Sequence, residues 1–501
     1  MSHHFVNELR AVFDARAAKP AIALQGRTVT YGELDKWARR FAAWLQASGV
    51  APGDRVALFI DDKLSFLTAH LGVLFAGGVP LPLNPRFTRE EMRYFLEDSE
   101  ACVVIAGDEQ RGLAETLAAE LAHAPLVVSQ SVVWDPPAAR FREPVVRAED
   151  PCLMLYSSGT TGWPKGVVHT HASAASALGA LKTCWRMTAD DVVVNVLPLF
   201  HIHGLAFATH LTWLAGGTLW IEETFDVPRT LKAIEHATVF MAVPAIYVRL
   251  LDDASFPAAA RSWQNVRLFT CGSAPIRPEI LPELESRLGQ PVVNRYGMTE
   301  AYVITSLPLD GPWPAGSVGL PLEGIERKII RPDGTPVAAG EVGTVVIRGP
   351  NLFREYWRKP DATQAALHSG WFDTGDLGTL DEAGFLTLVG RKNDLIITSG
   401  YNVYPQVVER VIGECPGVRE CAVLGVPDAH RGELVAAAVV RSEPNLDEAR
   451  LRAWSDERLI YYQRPRILFF VDALPRNSMG KILRRELREQ AANAPIQHDQ
   501  A

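Results

Sequence analysis

The first part of the chain alternates short apolar runs with stretches of helical periodicity. Residues 30–33 have the sequence of a capping box, and the apolar residues after them recur at helical spacing as far as Leu45. The pattern then predicts strand 56–60, helix 64–76, an extended segment at 79–84, helix 88–96 and strand 101–106. Alternating strands and helices predict an α/β fold, with mostly parallel sheets that are flanked by helices.

The pattern continues through the middle of the chain and then changes. An alanine-rich stretch predicts a helix at 169–184. Apolar runs predict strands at 153–156, 192–196, 218–221, 239–243 and 267–271. Between residues 317 and 348 short apolar runs are separated by turns such as Pro332-Asp333-Gly334, which predicts a small β-rich subdomain with its clearest strand at 343–348.

Residues 192–221 contain no Asp, Glu, Lys or Arg and are long enough to span a bilayer. Polar and helix-breaking residues interrupt this stretch, among them Asn195, Pro198 and the pair Gly216-Gly217. We therefore expect a buried strand, a loop and a helix here instead of a membrane span.

A boundary is predicted near Gly390. Four polar residues, 391–394, follow a predicted strand at 385–389. A new pattern of strands and helices begins after them and ends in a basic amphipathic helix. We therefore predict an N-terminal domain at 1–389, a hinge at 390–394 and a smaller, mobile α+β domain at 395–501.

Composition and charge argue against several classes of protein. The 501 residues are 48% hydrophobic and carry a net charge of −8, so nucleic acid is not expected as a partner. Six cysteines occur without a Cys-x-x-Cys pair, which argues against a zinc site or a disulfide framework. The N-terminus lacks a signal-peptide pattern. We expect a cytoplasmic protein without a membrane span, and the sequence leaves its oligomeric state open.

The loop at residues 157–166 carries the strongest candidate chemistry. It contains four hydroxyls, three glycines and one lysine. Glycines let backbone N–H groups crowd an anion, hydroxyls donate to its oxygens, and a lysine adds a positive charge. The spacing is not that of a Walker A loop. Taken alone, the loop fits a polyphosphate-binding turn and a flexible surface turn equally well.

Seven segments together resemble the acyl-adenylate-forming family of acyl-CoA synthetases, luciferases and peptide-synthetase adenylation domains. In the order of that family they are residues 156–166, 197–204, 272–275, 295–300, 370–376, 390–405 and 475–481. The resemblance implies a large N-terminal domain, a small mobile C-terminal domain and a site in the cleft between them. It also implies a reaction: ATP and Mg²⁺ activate a carboxylic acid as an acyl-AMP, pyrophosphate leaves, and the thiol of CoA accepts the acyl group.

The resemblance assigns roles residue by residue. It implies catalytic roles for Lys481, which bridges the carboxylate and the α-phosphate, for Thr299, which binds phosphate, and for His201, a gate at the acyl pocket. Glu300 and Thr160 are the implied Mg²⁺ ligands. The residues implied to bind ATP or CoA are Ser157, Ser158, Gly159, Thr160, Thr161, Lys165, Gly272, Ser273, Ala274, Arg295, Tyr296, Gly297, Met298, Asp376, Arg391, Gly400 and Tyr401.

Two positions need further comment. His201 and His203 are separated by one residue, and on a strand both would point to one side, as metal ligands do. No third ligand follows at ligand spacing, so we expect His201 at the acyl pocket and His203 to be packed. Asn393 stands where the family has Asp or Lys, which leaves the hinge residue itself open.

The acid is the least determined part of the hypothesis. Arg295 is expected to line the acyl pocket, and a buried guanidinium needs an anionic partner. A second substrate carboxylate would supply one, a feature similar to malonyl-CoA synthetases, so a short dicarboxylate such as malonate or methylmalonate is the leading expectation. Asp226 or Glu300 is the alternative partner of Arg295. The apolar residues 301–304 favour a small aliphatic or aromatic monoacid.

Two other functions stay open on the sequence. A stand-alone adenylation enzyme would load a carrier protein, although no carrier-like serine motif follows Lys481. A non-catalytic nucleotide-binding protein would not need Lys481, Glu300 and Asp376 together. Acid–CoA ligation is therefore the leading hypothesis.

Overall fold

The computed structural model describes residues 4–24, 26–157, 163–276, 280–428, 430–476, 482–492 and 494. Two compact units are present: residues 1–326 with 348–372, and residues 327–347 with 373–501. The predicted domain boundary and hinge at 390–394 stay predictions. Five predicted site residues lie outside the described residues: Ser158, Gly159, Thr160, Thr161 and Lys481.

Strands and helices alternate along most of the chain. The strands are β1 (Pro20–Leu24), β2 (Arg27–Thr30), β3 (Arg55–Phe59), β4 (Val79–Pro82), β5 (Val103–Ala106), β6 (Leu126–Ser129), β7 (Pro151–Ser157), β8 (Lys165–Thr170), β9 (Val192–Asn195), β10 (Thr218–Ile221), β11 (Val239–Ala242), β12 (Leu268–Cys271), β13 (Val292–Met298), β14 (Tyr302–Ser306), β15 (Leu320–Pro321), β16 (Glu326–Ile330), β17 (Gly343–Arg348), β18 (Glu355–Tyr356), β19 (Leu367–His368), β20 (Trp371–Leu380), β21 (Leu386–Arg391), β22 (Ile396–Thr398), β23 (Tyr401–Val403), β24 (Val418–Asp428), β25 (Gly432–Arg441) and β26 (Ile467–Phe470).

The α-helices are α1 (Phe5–Ala15), α2 (Tyr31–Ala47), α3 (Lys63–Ala76), α4 (Arg89–Ser99), α5 (Arg111–Glu120), α6 (His171–Cys184), α7 (Leu211–Ala215), α8 (Val227–Ile234), α9 (Pro244–Leu251), α10 (Phe256–Ala260), α11 (Ile280–Leu288), α12 (Pro360–Ala366), α13 (Pro405–Gly413), α14 (Glu448–Arg458) and α15 (Arg484–Ala491). A π-helix spans His203–His210, and short 3-10 helices span Gln130–Val133 and Lys392–Asp394.

Three sheets organise the first unit. The largest has nine strands in the order β15-β14-β13-β12-β11-β9-β10-β1-β2. Its six central strands, from β13 to β1, pair in parallel, and the pairs formed by β2, β14 and β15 are antiparallel. A four-stranded parallel sheet has the order β4-β3-β5-β6, and a three-stranded antiparallel sheet has the order β18-β8-β7. The predicted α/β architecture is confirmed.

The helices of this unit follow the hydrophobic pattern. Helix α2 begins at a capping box in which the Thr30 side chain accepts from the Glu33 N–H and the Glu33 side chain accepts from the Thr30 N–H. Helix α3 is buried around its whole circumference, although it contains polar residues such as Lys63 and His70. It ends at Gly77, whose φ of 84° provides the left-handed cap.

One expectation about local structure is wrong. The loop at 157–166 does not lead directly into a helix, because Lys165–Thr170 forms β8, which pairs antiparallel with β7 before α6 begins. The chain folds back on β7 there, and the hydrophobic pattern does not show that pairing. His201 and His203 follow β9, and His203 starts the π-helix that runs to His210, so the two histidines do not share a strand.

The second unit contains two sheets. Strands β16, β17, β20 and β21 are neighbours in one of them. The other has the order β23-β22-β25-β24, with β26 parallel to β25. Helices α13 and α14 contribute Val408, Ile412 and Leu451 to the apolar core against this sheet. The predicted α+β pattern of this region is thus present.

The charge-free stretch at 192–221 forms β9, the π-helix, α7 and β10. Among the described residues, no helix combines the length and the apolar character that crossing a membrane requires.

Candidate active site

The carboxyl ends of four parallel strands meet at one edge of the nine-stranded sheet. Strands β9, β11, β12 and β13 are neighbours there and run in the same direction. Such an edge is where open α/β sheets bind ligands. The loops that leave β9, β12 and β13 carry three of the predicted segments, which contain His201, Ser273 and Thr299. The topology therefore brings together segments whose residues His201, Ser273 and Thr299 lie 26 to 98 positions apart in the chain.

Arg295 is the most deeply buried cation of this edge. It lies on β13, and its side chain is 3% exposed. The guanidinium lies over the ring of Phe207 with 4.7 Å between Cζ and the ring centroid, and its Nη2 donates to the Ser273 hydroxyl at 3.4 Å. Its Nε has no hydrogen-bond partner within the part of the chain that the structure describes. Burial lowers the pKa of Arg295 to about 10, so it remains a cation at neutral pH.

The expected internal partners of Arg295 are engaged elsewhere. Asp226 pairs with Arg229 at 3.3 Å, and Glu300 Oε1 accepts from the Tyr356 hydroxyl at 3.0 Å. Cys271 is the group that favours the charged form of Arg295, and no carboxylate among the described residues contributes to the pKa of this arginine. These contacts therefore do not support Asp226 or Glu300 as the partner of Arg295, and the alternative of an internal acid stays a prediction.

Gly272 and Ser273 shape the space around this guanidinium. A Cβ on Gly272 would lie 2.7 Å from both Cζ and Nε of Arg295, so only glycine leaves room for the side chain. Ser273 has a φ of 72°, which is a strained, left-handed conformation for a residue with a side chain. That backbone geometry directs the hydroxyl to Arg295 and also to His203 Nδ1, 3.1 Å away.

His201 and His203 contact each other, and the positive charge of Arg295 acts on both. His201 Nδ1 accepts from the His203 backbone N–H at 3.2 Å. Burial, together with the positive charge of Arg295, lowers the pKa of His201 to about 4. Neutral His201 thus carries its proton on Nε2, where it can donate. Burial, Arg295 and His201 also lower the pKa of His203, whose Nε2 has no hydrogen-bond partner among the described residues.

Thr299 and Glu300 follow β13 and are held by residues that the sequence did not single out. His169 Nε2 lies 2.6 Å from the Thr299 carbonyl oxygen, and burial lowers the pKa of His169 to about 4. A carbonyl only accepts, so His169 is the donor. Glu300 is 8% exposed and accepts from Tyr356. Its carboxylate is a hard oxygen ligand of the kind that Mg²⁺ prefers, so this residue fits the implied metal.

The two ends of the predicted phosphate loop lie in one hairpin. Ser157 ends β7 and is in register with Lys165, the first residue of β8. Lys165 Nζ lies 4.8 Å from the centroid of the Tyr356 ring. Since Tyr356 also donates to Glu300, the tyrosine connects the lysine of the loop with the implied magnesium ligand.

Aromatic residues hold the exposed side of this loop. Trp163 is 57% exposed and stacks on Tyr94, with ring centroids 4.6 Å apart. The Tyr94 hydroxyl donates to the Pro164 carbonyl oxygen at 2.6 Å. Helix α4 therefore supports the segment that leads into β8.

The remaining predicted residues of the first unit lie on the same strands and turns. Tyr296 is 7% exposed, and Gly297, Met298 and Ala274 are half-buried. A Cβ on Gly297 would lie 2.1 Å from the Tyr302 carbonyl oxygen, which explains a glycine at the β13–β14 turn.

Four predicted site residues of the second unit belong to the described part of the chain. Asp376 and Arg391 face each other across β20 and β21 and form an ion pair with 3.1 Å between Oδ1 and Nε. Gly400 has a φ of 81°, and no atom lies within 4 Å of a Cβ built on it. Tyr401 is 44% exposed and stacks on Tyr462 at 4.5 Å. The ligand roles of these residues stay predictions.

Three contributors to the site were missed from the sequence: His169, Phe207 and Tyr356. Each acts through a contact with a residue far along the chain, and the hydrogen bonds of Tyr356 and His169 span 56 and 130 residues. Their positions carry no local motif. Tyr356 alone could have suggested a hydroxyl near the loop, because it lies on β18, which pairs with β8.

Comparison with known proteins shows extensive similarity. The AMP-binding enzyme family matches residues 9–357, and the AMP-binding enzyme C-terminal domain matches residues 407–481. A long-chain-fatty-acid–CoA ligase of Escherichia coli O157:H7 is 32% identical over 519 aligned positions, covering 95% of this chain and 92% of that protein. A feruloyl-CoA synthase of an Amycolatopsis species is 35% identical, covering 95% of this chain and 96% of that protein.

Solved structures are similar over the same length. ATP-bound MatB from Rhodopseudomonas palustris has a TM-score of 0.92 and 36% identity, covering 97% of this chain and 99% of that chain. The o-succinylbenzoate CoA synthetase MenE from Bacillus subtilis, in complex with its acyl-adenylate, has a TM-score of 0.87 and 30% identity, covering 96% of this chain and 98% of that chain.

Proposed function

Because this chain belongs to the AMP-binding enzyme family, we propose that it joins a short dicarboxylate, such as malonate or methylmalonate, to coenzyme A. The chain is an AMP-forming acyl-CoA ligase that uses ATP, Mg²⁺ and CoA. The proposal concerns the acid. Its main support is Arg295, a buried cation for which the described residues supply no carboxylate.

The argument for a second carboxylate is electrostatic. An unpaired charge in a buried site costs several kcal/mol, and a carboxylate that forms charge-assisted hydrogen bonds offsets that cost. Beside Arg295 lies the hydrogen-bonded pair of Ser273 and neutral His203, which offers one donor to an anion. When the Ser273 hydroxyl donates to Nδ1, the proton on His203 Nε2 is available, and with the other tautomer the Ser273 hydroxyl is available. Phe207 closes one side with an aromatic ring. These groups suit a compact anion. Against an alkyl chain their hydrogen-bond donors would have no acceptor.

The first carboxylate of the acid is the reacting group. It attacks the α-phosphorus of ATP, pyrophosphate leaves, and the thiol of CoA then attacks the acyl-AMP and releases AMP. Negative charge grows on the phosphate oxygens during the first step, so cations that are already in place lower the barrier. We assign this role to Lys481 and Lys165. Glu300 would hold Mg²⁺, which supplies charge neutralisation at the phosphates when bound.

Neutral histidines suit this chemistry. His201 carries its proton on Nε2 and offers a donor without adding a second positive charge beside Arg295. His169 fixes the Thr299 carbonyl and so orients the segment of Thr299 and Glu300. Asp376 and Arg391 are proposed to contact the nucleotide, and the open space at Gly400 is proposed to admit the pantetheine arm of CoA.

The test is a matched panel of acids. Malonate is compared with propionate, and methylmalonate with isobutyrate, because each pair differs by one carboxylate. Pyrophosphate release is measured with and without CoA. We expect a preference for the dicarboxylate of at least about a hundredfold in kcat/KM, lost in Arg295→Met, since leaving a buried charge unpaired costs about 2–5 kcal/mol.

Arg267→Met is the control variant. Arg267 precedes β12 and pairs with Asp191 at 2.7 Å, so this change perturbs the same sheet without altering the donors around Arg295. It should lower stability and keep the preference between paired acids. Equal kcat/KM for malonate and propionate in the unmodified protein would refute the proposed substrate.

A monocarboxylic acid is the second candidate, and one observation favours it. Residues 301–304 are buried, and the Tyr302 ring lies 6.3 Å from Phe207, so apolar surface continues from the face of Arg295. In the same panel, this candidate predicts that propionate, longer aliphatic acids or ferulate release pyrophosphate faster than malonate does. Pyrophosphate release without any CoA thioester would instead indicate a carrier-protein acceptor.

A further inference from the structure

A buried lysine joins two loops at the carboxyl edge of the nine-stranded sheet. Lys63 is the first residue of α3, and its side chain is 6% exposed. Its Nζ donates to the Leu197 carbonyl oxygen at 3.0 Å and to the Glu222 carbonyl oxygen at 2.6 Å. Leu197 follows β9, and Glu222 follows β10, so the ammonium connects the ends of two neighbouring parallel strands.

The carbonyl held by Lys63 belongs to the loop of the two site histidines. Leu197 begins the segment that continues to His201 and His203. The same loop is fixed from inside by Asn195, which accepts from the Leu197 N–H at 2.9 Å and donates to the Gly204 carbonyl oxygen at 2.9 Å. Both ends of the loop are therefore tied to β9, and Lys63 adds a tie between the loop and α3.

The loop has little freedom to adjust. A Cβ on Gly204 would lie 2.3 Å from the Pro198 carbonyl oxygen, so the chain passes very close to itself. A displacement of Leu197 is then transmitted to the histidines, because the short loop between them cannot absorb it.

The chemistry of Lys63 is unusual for a residue that only packs. Burial of an ammonium is costly, and burial lowers the pKa of Lys63 to about 8, although Glu223 and Glu222 oppose this shift. An aliphatic side chain would fill the same volume without the free-energy cost of burying a charge. The charge is useful because charge-assisted hydrogen bonds hold carbonyl groups more firmly than neutral donors do.

We infer that Lys63 is a positioning residue for acid recognition, which holds the loop of His201 and His203 in place against Arg295 and Ser273. This inference rests on the proposed function of that site. Lys63 touches neither substrate nor cofactor; it acts through the Leu197 carbonyl group.

The chain offers a closely matched control. Lys19 Nζ donates to the carbonyl oxygens of Ala189 and Gly216, at 2.8 Å for the second. Ala189 precedes β9, and Gly216 precedes β10, so Lys19 connects the same two strands at the opposite edge. Loss of either ammonium removes two hydrogen bonds to backbone carbonyl groups, but only Lys63 lies at the edge of the site.

The experiment compares Lys63→Met with Lys19→Met in the full chain. Both variants should melt at a lower temperature than the unmodified protein. Only Lys63→Met should raise the KM for the acid, by about tenfold, and reduce the discrimination between paired acids, because a site residue displaced by about 1 Å loses much of its effect. The KM for ATP should change by less than about twofold. Lys63→Arg, which keeps a charged donor, should recover part of the acid KM.

The inference is overturned if Lys63→Met melts at a lower temperature but keeps the KM and the discrimination of the unmodified protein, or if Lys19→Met changes the acid KM equally. If Lys63→Met does not fold, Lys63→Leu, which also removes both donors, carries the same predictions. Failure of the proposed function gives a different result from failure of this inference, because the unmodified protein would then show no preference for dicarboxylates. In that case the acid that the protein does activate replaces malonate in the comparison of the two variants.

Discussion

Gly272→Ala tests whether the position of the Arg295 guanidinium controls the choice of acid. The added methyl group would lie 2.7 Å from Cζ and Nε and 3.0 Å from Nη1 of Arg295. Carbon atoms in contact normally lie about 3.5–4.0 Å apart, so the guanidinium must move by roughly 0.8 Å or more. The backbone of Gly272 lies outside the left-handed region, so alanine can adopt it without strain.

The displaced group cannot move freely. Phe207 lies against one face of the guanidinium, and the Ser273 hydroxyl already lies at 3.4 Å from Nη2, near the limit of a hydrogen bond. A shift of this size separates Arg295 from Ser273 or from the substrate carboxylate. We expect kcat/KM for malonate to fall by about a hundredfold, since misplacement by about 1 Å in a site has that effect.

The assay is acid-dependent exchange of pyrophosphate into ATP, with malonate and propionate compared at saturating ATP. Propionate lacks the group that Arg295 is proposed to bind, so its kcat/KM should change by less than about fivefold. Gly179→Ala is the control, because no atom lies within 4 Å of its new Cβ and Gly179 lies inside α6. An equal loss for both acids, or no loss for malonate, would refute the role of Arg295.

Two further predictions concern catalysis and pH. Lys481→Ala should lower the rate of pyrophosphate exchange by about 10²–10³-fold, because it removes a cation from the developing phosphate charge; exchange within about threefold of the unmodified protein would contradict the assignment. Burial lowers the pKa of His169 to about 4 and that of His70 to about 3, both below the value of 6.5 for an exposed histidine. The unfolded chain therefore binds protons more readily, so the contribution of these histidines to stability is complete above pH 6.5 and is lost as the pH falls towards 4. Calorimetric melting between pH 7.5 and 4.5 measures this effect, and a constant Tm over that range would contradict it.

Much of the fold was accessible from the sequence because it depends on short-range patterns. The capping box at Thr30, the apolar-rich helix α3 and the strand Gly343–Arg348 are each set by residues within a few positions of one another. The family resemblance had a similar basis, since its motifs are short runs of chemically distinctive residues. The reaction class followed from those runs together.

The arrangement of the site depended on pairing between distant segments. Strand β8 exists because Lys165–Thr170 can pair with β7, and no local signal separates it from the loop before it. At the start of the π-helix, Asn195 of β9 donates to the Gly204 carbonyl oxygen, a contact that the alternation of residues does not encode.

The sequence by itself determined that this chain alternates strands and helices and carries the motifs of an enzyme that forms acyl-adenylates. Tertiary structure alone decided that Asp226 and Glu300 are engaged elsewhere, that Arg295 is buried beside Ser273 and His203, and that Lys63 holds the loop of the histidines. The physical reason is that a motif depends on neighbours along the chain. The partner of a buried charge depends on which distant segments the sheet brings within hydrogen-bonding distance.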